Sequence, residues 1–325
     1  MNIRRIATVS LSYEDFPSFD AKLDEACRLT ALAASRGAAL VVLPEVLNQW
    51  RGDGPNHPNP LSIDEMVLEN WQTACAKLIE CAARHAVTIT VPVYVREADH
   101  VLNVFYLVDG SGAVLGRYEK EYPTVGELKH GVIPGTNPRL LAWDGLRIGG
   151  AICYDINFPA LFARQRQSGA DLFLCPSLFP GGLLLNHYAF THEVPIVLAY
   201  PAWSRIIGPL GEELVQGGLR HETLRWGGGN PVYVADVNFD YAVVSSECSY
   251  ELIREIEKKY AGRIAIRLHQ HNCVFYFESL CDEISISQVL AEHGQNTRRD
   301  SLRDAGRQID EARQQVNTET HARST

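Results

Sequence analysis

Cys153 stands where the character of the chain changes abruptly. The preceding segment, 146–152, is apolar and contains two adjacent glycines, which is typical of a buried strand with close neighbours on both faces. Polar Tyr154 and Asp155 follow, and Pro159 can open a helix because proline suits a first helical turn. A cysteine on a strand-to-helix turn presents its sulfur rigidly, as in a nucleophile elbow, although the serine version's G-x-S-x-G is absent. An isolated cysteine is usually an inert core residue, so a nucleophilic role depends on partners.

Two residues that could be those partners end other predicted strands. Glu45 ends the apolar run 38–44, and Lys120 follows the second strand of a predicted hairpin around 109–112. Ligands of open α/β sheets bind beyond the carboxyl ends of strands, so these side chains can converge with Cys153. A lone Glu or Lys at a strand end is usually a solvated surface residue. The prediction therefore requires that all three side chains meet within about 3–4 Å.

The elements that must position these residues are predicted from hydrophobic periodicity and turn residues. Helical patterns cover about 19–36, 62–86, 159–168 and 183–193. Strand patterns cover 3–11, 38–45, 88–95, 101–108, 113–118, 146–152, 170–175, 196–200, 203–208, 213–217, 219–225 and 231–237. Loops rich in Gly and Pro occupy 50–60 and 121–135. Strands that alternate with helices, together with hairpins, predict an α/β fold with mixed sheets faced by helices.

The organisation along the chain is predicted in three parts. Residues 1–245 contain no linker and are expected to form one domain. An extension, 246–293, is expected to pack on that domain or on a partner subunit. The polar tail, 294–325, carries a short apolar stripe formed by Leu302, Ala305, Ile309, Ala312 and Val316. That stripe is too short to stand alone in water, so we expect a partly helical or disordered tail that is frayed or docked on a partner.

Composition limits the possible classes of protein. The chain has 325 residues, of which 46% are hydrophobic, enough for one large α/β domain. Its net charge is -9 without a basic block, which argues against a nucleic-acid-binding surface. No apolar run reaches membrane-spanning length and no secretory signal pattern opens the chain, so we expect a cytoplasmic protein without a membrane partner. The eight scattered cysteines are then expected to be reduced thiols.

Several short motifs occur together in a fixed order. They are Leu43-Pro44-Glu45, Arg117-Tyr118-Glu119-Lys120, Gly126-Glu127, Pro134-Gly135, Gly150-Ala151-Ile152-Cys153-Tyr154-Asp155, Phe158-Pro159, Gly169-Ala170-Asp171, Pro176-Ser177, Glu193, Trp203-Ser204-Arg205 and Pro209-Leu210-Gly211. In this order, over roughly 3–240, the chain resembles the carbon–nitrogen hydrolase (nitrilase) superfamily. The resemblance implies a four-layer α-β-β-α sandwich and assembly as a homodimer or a larger homo-oligomer.

The resemblance also implies catalytic roles. Cys153 matches the nucleophile, Glu45 the general base, Lys120 the oxyanion stabiliser and Glu127 the second glutamate that supports Lys120, with the backbone N–H of Tyr154 as a further oxyanion donor. These roles are chemically consistent, because a thiol with a pKa near 8.5 needs a base or cation to react at neutral pH. Lys120 between two carboxylates is expected to stay protonated. We predict no metal and no cofactor.

The bond that is cut is predicted from the residues after the nucleophile. Tyr154-Asp155 resembles the amidase and carbamoylase branches, whereas nitrilases usually carry Trp-Glu there, so a small-molecule amide or N-carbamoyl (ureido) substrate is favoured. Nitrile hydrolysis, acyl transfer to an amine and a catalytically silent scaffold stay open. Departures from the family pattern at Ala160, Phe190 and Val194 bear on assembly and specificity.

Substrate contacts are expected from the loops 48–60, 121–135 and 177–188. The candidate side chains are Trp50, Tyr122, Phe179 and His187, although ordinary loop packing explains such aromatic residues equally well. Two rival sites are weaker. His269, His271 and Cys273 alternate along one predicted strand and could bind zinc, but an exposed edge strand is the simpler interpretation. Cys175 also ends a strand, but it lacks a charged neighbour in sequence.

Overall fold

The computed structural model of the protein describes residues 2–11, 15–51, 59–136, 139–218 and 231–324, with side chains to Val316. Its elements in chain order are β1 Ile3–Val9, α1 Phe19–Ser35, β2 Leu40–Val42, α2 Ile63–Met66, α3 Trp71–Ala74, α4 Ala76–Arg84, β3 Thr88–Glu97, β4 His100–Val108, β5 Val114–Glu119, α5 Val125–Lys129, β6 Leu141–Trp143, β7 Leu146–Gly150, a 3-10 helix Cys153–Asn157, α6 Pro159–Gln167, β8 Leu172–Pro176, α7 Gly182–His192, β9 Ile196–Ala199, β10 Ser204–Ile207, β11 Glu213–Gly217, β12 Val232–Asn238, β13 Tyr241–Ser245, α8 Tyr250–Lys259, β14 Ile264–His269, a 3-10 turn Gln270–Asn272, β15 Val274–Ser279, α9 Ile286–Glu292 and α10 Arg298–Ser324. The predicted strand 219–225 and most of the loop 50–60 lie outside the described residues.

The first six-stranded sheet brings two of the predicted strand ends to one edge. Its order is β12-β1-β2-β3-β4-β5. β2 is parallel to β3, while β4 is antiparallel to both β3 and β5. It follows that β2 and β5 run in the same direction and end at the same edge of the sheet. Glu45 lies just after β2 and Lys120 directly after β5, so the topology places both at that edge.

The second six-stranded sheet carries the candidate nucleophile. Its order is β11-β10-β9-β8-β7-β6. The three central strands β7, β8 and β9 are parallel, and the outer strands β6 and β10 pair with them in antiparallel fashion. The short apolar strands of the centre are buried, as expected for a parallel sheet covered on both faces. Cys153 follows the carboxyl end of β7.

The two sheets pack face to face. Thr8 Oγ1 of the first sheet donates a hydrogen bond of 2.7 Å to the backbone oxygen of Leu198 in the second. Gly150 allows the two sheets to approach closely, because a Cβ there would lie 2.4 Å from Cγ of Tyr118. Helices α1 and α4 cover the outer face of the first sheet, and α6 and α7 cover that of the second. The predicted four-layer α-β-β-α sandwich is confirmed.

Two local predictions were wrong. The single helix predicted over 62–86 is three short helices, because Val67 leaves the helical conformation (ψ 136°) and Leu68 pairs with Val95 at the sheet. The loop 121–135 contains a helix, α5. The helix predicted to open at Pro159 is present as α6, and a 3-10 helix that begins at Cys153 precedes it.

The chain divides into two compact units, Arg4–Val237 and Met1–Ile3 with Asn238–Thr325. The second unit has a three-stranded antiparallel sheet, β13-β15-β14, and an apolar core shared with α8 and α9. β13, which the sequence analysis assigned to the first domain, pairs with β15 in this unit. The polar tail is a 27-residue helix, α10. Among the helices that the structure describes, none has the length and apolar character needed to cross a membrane.

Candidate active site

Lys120 lies between two buried carboxylates. Its Nζ is 3.0 Å from Oε1 of Glu45, and 2.9 and 2.8 Å from the two carboxylate oxygens of Glu127. The side chain is 2% exposed. Burial by itself lowers the pKa of Lys120, but the negative charges of Glu45 and Glu127 outweigh it, so the pKa lies above its ordinary value. The ammonium is therefore a fixed positive charge at neutral pH.

Glu127 is held by the start of α5. It occupies the third helical position, where Thr124 Oγ1 accepts from its backbone N–H at 3.1 Å and its own Oε2 accepts from the Thr124 N–H at 2.7 Å. This reciprocal pair is a capping box. Burial raises the pKa of Glu127, but the charge and hydrogen bonds of Lys120 lower it by more than burial raises it. The net pKa is therefore below its ordinary value. The capping box thus orients an ionised carboxylate toward Lys120.

Asn103 connects the two carboxylates. This β4 residue is 1% exposed, and its Nδ2 donates to Oε1 of Glu45 at 2.8 Å and to Oε1 of Glu127 at 2.9 Å. Tyr94 Oη donates to the same oxygen of Glu127 at 2.9 Å. A buried carboxylate needs such donors as well as a cation, because both of its oxygens lose their bound water. Asn103 and Tyr94 therefore complete the polar partners of the cluster.

The conformation after Glu45 is strained. Val46 has φ 54°, in the left-handed region that β-branched residues avoid. The turn aims Glu45 across to the second sheet, where its Oε2 accepts from the backbone N–H of Leu178 at 2.9 Å. Strain of this kind costs on the order of 1–3 kcal/mol and concentrates at functional sites.

Cys153 has the geometry of a strained elbow. Its φ is 50°, and it begins the 3-10 helix as the third residue after the end of β7. The side chain is partly buried. A left-handed non-glycine residue at a strand end directs its side chain away from the sheet surface, as in the serine elbow. The elbow inferred from the sequence is thus present, without the flanking glycine pattern.

The surroundings of the Cys153 sulfur include the other predicted residues. The Glu45 side chain, the Leu178 backbone N–H and the Lys120 ammonium are each near enough to shift the pKa of the thiol. Burial raises the pKa of Cys153 most and Glu45 raises it further, whereas Lys120 and the Leu178 N–H act in the opposite direction. The net pKa is well above that of a free thiol. The resting side chain is therefore a thiol that needs a base when it attacks.

Asp155 ties the elbow to the strand that precedes Lys120. Its carboxylate is fully buried and accepts from the Ile152 N–H at 2.9 Å, the Tyr122 N–H at 2.7 Å and the Tyr118 Oη at 2.8 Å. Burial raises the pKa of Asp155 to about 6, although the three donors act in the opposite direction. Because Tyr118 lies in β5, these bonds fix the distance between the ends of β5 and β7.

The segment that bears Leu178 is held by hydrogen bonds from side chains to its backbone. Ser177 Oγ accepts from the Phe179 N–H at 2.8 Å, which closes a tight turn. Arg205 is 7% exposed and donates to the backbone oxygens of Pro180 at 3.2 Å and Gly182 at 2.9 Å. The N–H of Leu178, which donates to Glu45 and lies near Cys153, is therefore held by fixed backbone.

The predicted substrate residues are less closely grouped. Tyr122 stacks on Phe158 beside the elbow, with ring centroids 3.8 Å apart. Phe179 follows Leu178 and is partly buried against the core of the second sheet. Trp50 packs on the small apolar cluster that includes Tyr94. His187 lies exposed on α7, and its described contacts are with Tyr188 and Thr191. Tyr154 is 39% exposed and is the second residue of the 3-10 helix, directly after Cys153.

No group of three or more His, Cys, Asp or Glu side chains that could hold a metal ion occurs within the described part of the chain. His269 and His271 make an edge-to-face ring contact, with centroids 6.2 Å apart. Cys273 follows with φ 51°. Cys175 is fully buried in the core of the second sheet, and burial raises its pKa.

Sequence reasoning missed several groups that contact the cluster. Asn103 is a polar residue inside an otherwise apolar strand pattern, and that was an available signal. Tyr94 carried no comparable signal, because tyrosine is common in strands. The Leu178 N–H is a backbone group and has no signature in the sequence. Asp155 was noted for the branch of the family that it resembles, not for its three hydrogen bonds.

Comparison with known proteins gives consistent results. The family model described as "Carbon-nitrogen hydrolase" matches residues 5–242. The chain is 29% identical over 148 residues to the 2-oxoglutaramate amidase of Bacillus subtilis (strain 168), covering 45% of this chain and 54% of that protein. It is 28% identical over 213 residues to the chloroplastic omega-amidase of Arabidopsis thaliana, covering 56% of each. The chain spans about half the length of the curated relatives it matches.

A crystal structure of an amidase from Nesterenkonia sp. has a similar fold. The TM-score is 0.59 at 22% sequence identity, over 72% of this chain and 90% of that one. Structural similarity at this level supports the same architecture of paired sheets and outer helices.

Proposed function

Since the chain belongs to the carbon–nitrogen hydrolase family, we propose that it hydrolyses a small-molecule amide through a thioester on Cys153. The observation that carries the proposal is the pair of buried ion pairs that Lys120 makes with Glu45 and Glu127, together with the Asp155 hydrogen bonds that hold the Cys153 elbow beside the strand end at Lys120. A nucleophile, a base and a fixed cation in one place are the groups that acyl transfer needs. The names of the Bacillus subtilis and Arabidopsis thaliana relatives, which are both amidases, support an amide over the ureido and nitrile alternatives.

The acylation half-reaction follows from these contacts. Glu45 takes the thiol proton as the sulfur of Cys153 attacks the amide carbonyl carbon. The oxygen becomes negative, and the Lys120 ammonium and the Tyr154 N–H stabilise it. Glu45 then gives the proton to the leaving nitrogen, the C–N bond breaks, and ammonia or an amine departs from a thioester.

Deacylation reuses the same groups. Glu45 takes a proton from water, whose oxygen attacks the thioester carbon, and Lys120 again stabilises the oxyanion. Collapse breaks the C–S bond, returns the proton to the sulfur and releases a carboxylic acid. Glu127 is proposed to hold the Lys120 ammonium in place throughout, with Asn103 fixing both carboxylates.

A screen for ammonia release tests the proposal. The full chain is incubated with matched series of primary amides, ureido acids and nitriles, and Cys153→Ala is the blank. We expect amides to be turned over fastest. Preference for ureido acids or nitriles would contradict the choice of bond, and no release beyond the blank from any series would favour the silent scaffold. Added hydroxylamine tests acyl transfer, because a hydroxamate forms only if the thioester is open to amines.

Replacing Glu45 by glutamine is expected to separate turnover from thiol ionisation. Turnover should fall on the order of 10²–10⁴-fold, because the general base is lost. Alkylation of Cys153 by iodoacetamide at about pH 8 should become faster, because the Glu45 charge, in addition to burial, raises the pKa of this thiol. Mass spectrometry measures the alkylation rate, and the exposed Glu69→Gln is the control. Unchanged turnover would contradict the role of Glu45 as the base, and slower alkylation would contradict the effect of its charge on the pKa of the thiol.

Assembly and location stay predictions. The resemblance implies a homodimer or a larger homo-oligomer, which light scattering on the purified chain measures directly. The cytoplasmic location expected from the sequence is likewise a prediction, for which fractionation of the source cells is the test.

A further inference from the structure

Two cysteines outside the candidate active site face each other between packed helices. Cys27 lies on α1 and Cys81 on α4, and both helices cover the outer face of the first sheet. Cys81 Sγ donates to the backbone oxygen of Cys27 at 3.4 Å, and Cys27 Sγ donates to that of Lys77 at 3.6 Å. Each sulfur therefore contacts the backbone of the helix that carries the other cysteine, and the two thiols are near enough to shift each other's pKa.

We propose that Cys27 and Cys81 form a redox modification site, at which a small disulfide oxidant such as oxidised glutathione converts the two thiols into an intrachain disulfide between α1 and α4. The site is separate from the proposed catalytic function, because neither residue contacts the Glu45–Lys120–Cys153 cluster in any described interaction.

The packing favours closure of the bond. A disulfide requires a sulfur–sulfur distance of about 2.05 Å, and two sulfurs that each contact the backbone of the opposite helix reach it by side-chain rotation and a small helix adjustment. The helices are also held together by Lys77 on α4, whose Nζ is 2.8 Å from Asp20 and 2.7 Å from Asp24 on α1. The two backbones are thus kept adjacent while the bond forms.

The charges around the pair favour a thiolate. The hydrogen bond with Cys27 lowers the pKa of Cys81 to about 7, and nearby Arg84 also lowers it. The same hydrogen bond raises the pKa of Cys27, where burial and Asp24 act in the same direction and Lys77 opposes them. The pair therefore loses one of its two protons near neutral pH, and the remaining proton is shared by the two sulfurs.

The reaction balances as two thiol–disulfide exchanges. Cys27 is the more exposed sulfur, since Cys81 is 5% exposed. With its proton passed to Cys81, the Cys27 thiolate attacks one sulfur of the oxidant R–S–S–R, whose S–S bond breaks to release R–S⁻. Cys81 then loses its proton and attacks the Cys27 sulfur, which releases the second R–S⁻. Two electrons pass to the oxidant, and the two thiol protons end on two R–SH.

The test uses the native full chain with oxidised glutathione, followed by acid quenching, blocking of free thiols with N-ethylmaleimide and peptide mass spectrometry. We expect a Cys27–Cys81 crosslink that dithiothreitol reverses, forming roughly tenfold faster than modification of Cys75, a buried cysteine between α3 and α4 whose pKa burial raises to about 12. The crosslinking rate should rise with pH up to about 7 and then level off.

Variants separate the pair from its alternatives. Cys81→Ser should accumulate glutathione on Cys27, because the second sulfur is missing, whereas Cys75→Ser should form the crosslink normally. In a Cys153→Ala background the crosslink should persist, which keeps this result independent of the proposed amidase activity. Free Cys27 and Cys81 after exposure that modifies other cysteines of the native chain, or a crosslink that forms only in denaturant, would overturn the proposal.

Discussion

Cys153→Ala is expected to reduce amide hydrolysis by a factor on the order of 10⁴ or more, while the fold is retained. The large effect follows because no thioester can form without the sulfur, and the remaining groups supply only binding and oxyanion stabilisation. Stability should change by less than about 1 kcal/mol, since alanine has the same backbone preferences and the thiol is only partly buried. Steady-state rates and thermal unfolding of the same preparation measure the two effects.

Cys175→Ala is the matched control for this prediction. Cys175 lies near the carboxyl end of β8, a central parallel strand of the second sheet, but it is fully buried in the core. Its replacement should cost stability by leaving a small cavity, with little change in the rate per folded molecule. Equal losses of rate in both variants, or a Cys153→Ala enzyme with an ordinary rate, would contradict the assignment of the nucleophile.

The grouping of the cluster was predictable because its members end strands. Glu45 and Lys120 follow strands that run in the same direction in one sheet, and Cys153 follows a central strand of the other. Side chains at the carboxyl ends of such strands converge when two sheets pack face to face. Glu127 was inferred only from the resemblance, because it lies on a short helix inside what had been predicted as a loop. Its position depends on Thr124, whose capping role needs the helix to exist.

The rest of the site depends on tertiary contacts that a sequence does not encode locally. Asn103 is buried beside Glu45 only because β4 lies between β3 and β5 in the folded sheet. The Leu178 N–H reaches Glu45 across the interface of the two sheets. Likewise, the break after Val67 arises because Leu68 pairs with Val95 near the end of β3. This pairing overrides the helical pattern of 62–86. In each case a contact between residues far apart in the chain determines the local structure or the position of the group.

The Lys120→Met variant is expected to lose both activity and stability. Removal of the oxyanion cation should raise the barrier by about 3–4 kcal/mol, which is roughly 10²–10³-fold in rate. The buried carboxylates of Glu45 and Glu127 would also lose their only described cation, and breaking a buried ion pair in this way costs about 3–5 kcal/mol. Urea unfolding of the variant and of the exposed control Lys129→Met measures that loss.

The stability lost in Lys120→Met should depend on pH with a definite sign. In the native chain the folded pKa of Glu127 is depressed, so its contribution is present above the unfolded value, about 4.3, and is lost as pH falls through the folded value. Without the cation, burial raises the pKa of Glu127, and the variant loses stability as pH rises from about 4.3. The difference in unfolding free energy should therefore be smallest near pH 4 and largest near pH 8, and Glu127→Gln in the same chain should recover part of it. A difference that is constant with pH, as expected for Lys129→Met, would show that the ion pairs do not stabilise the site.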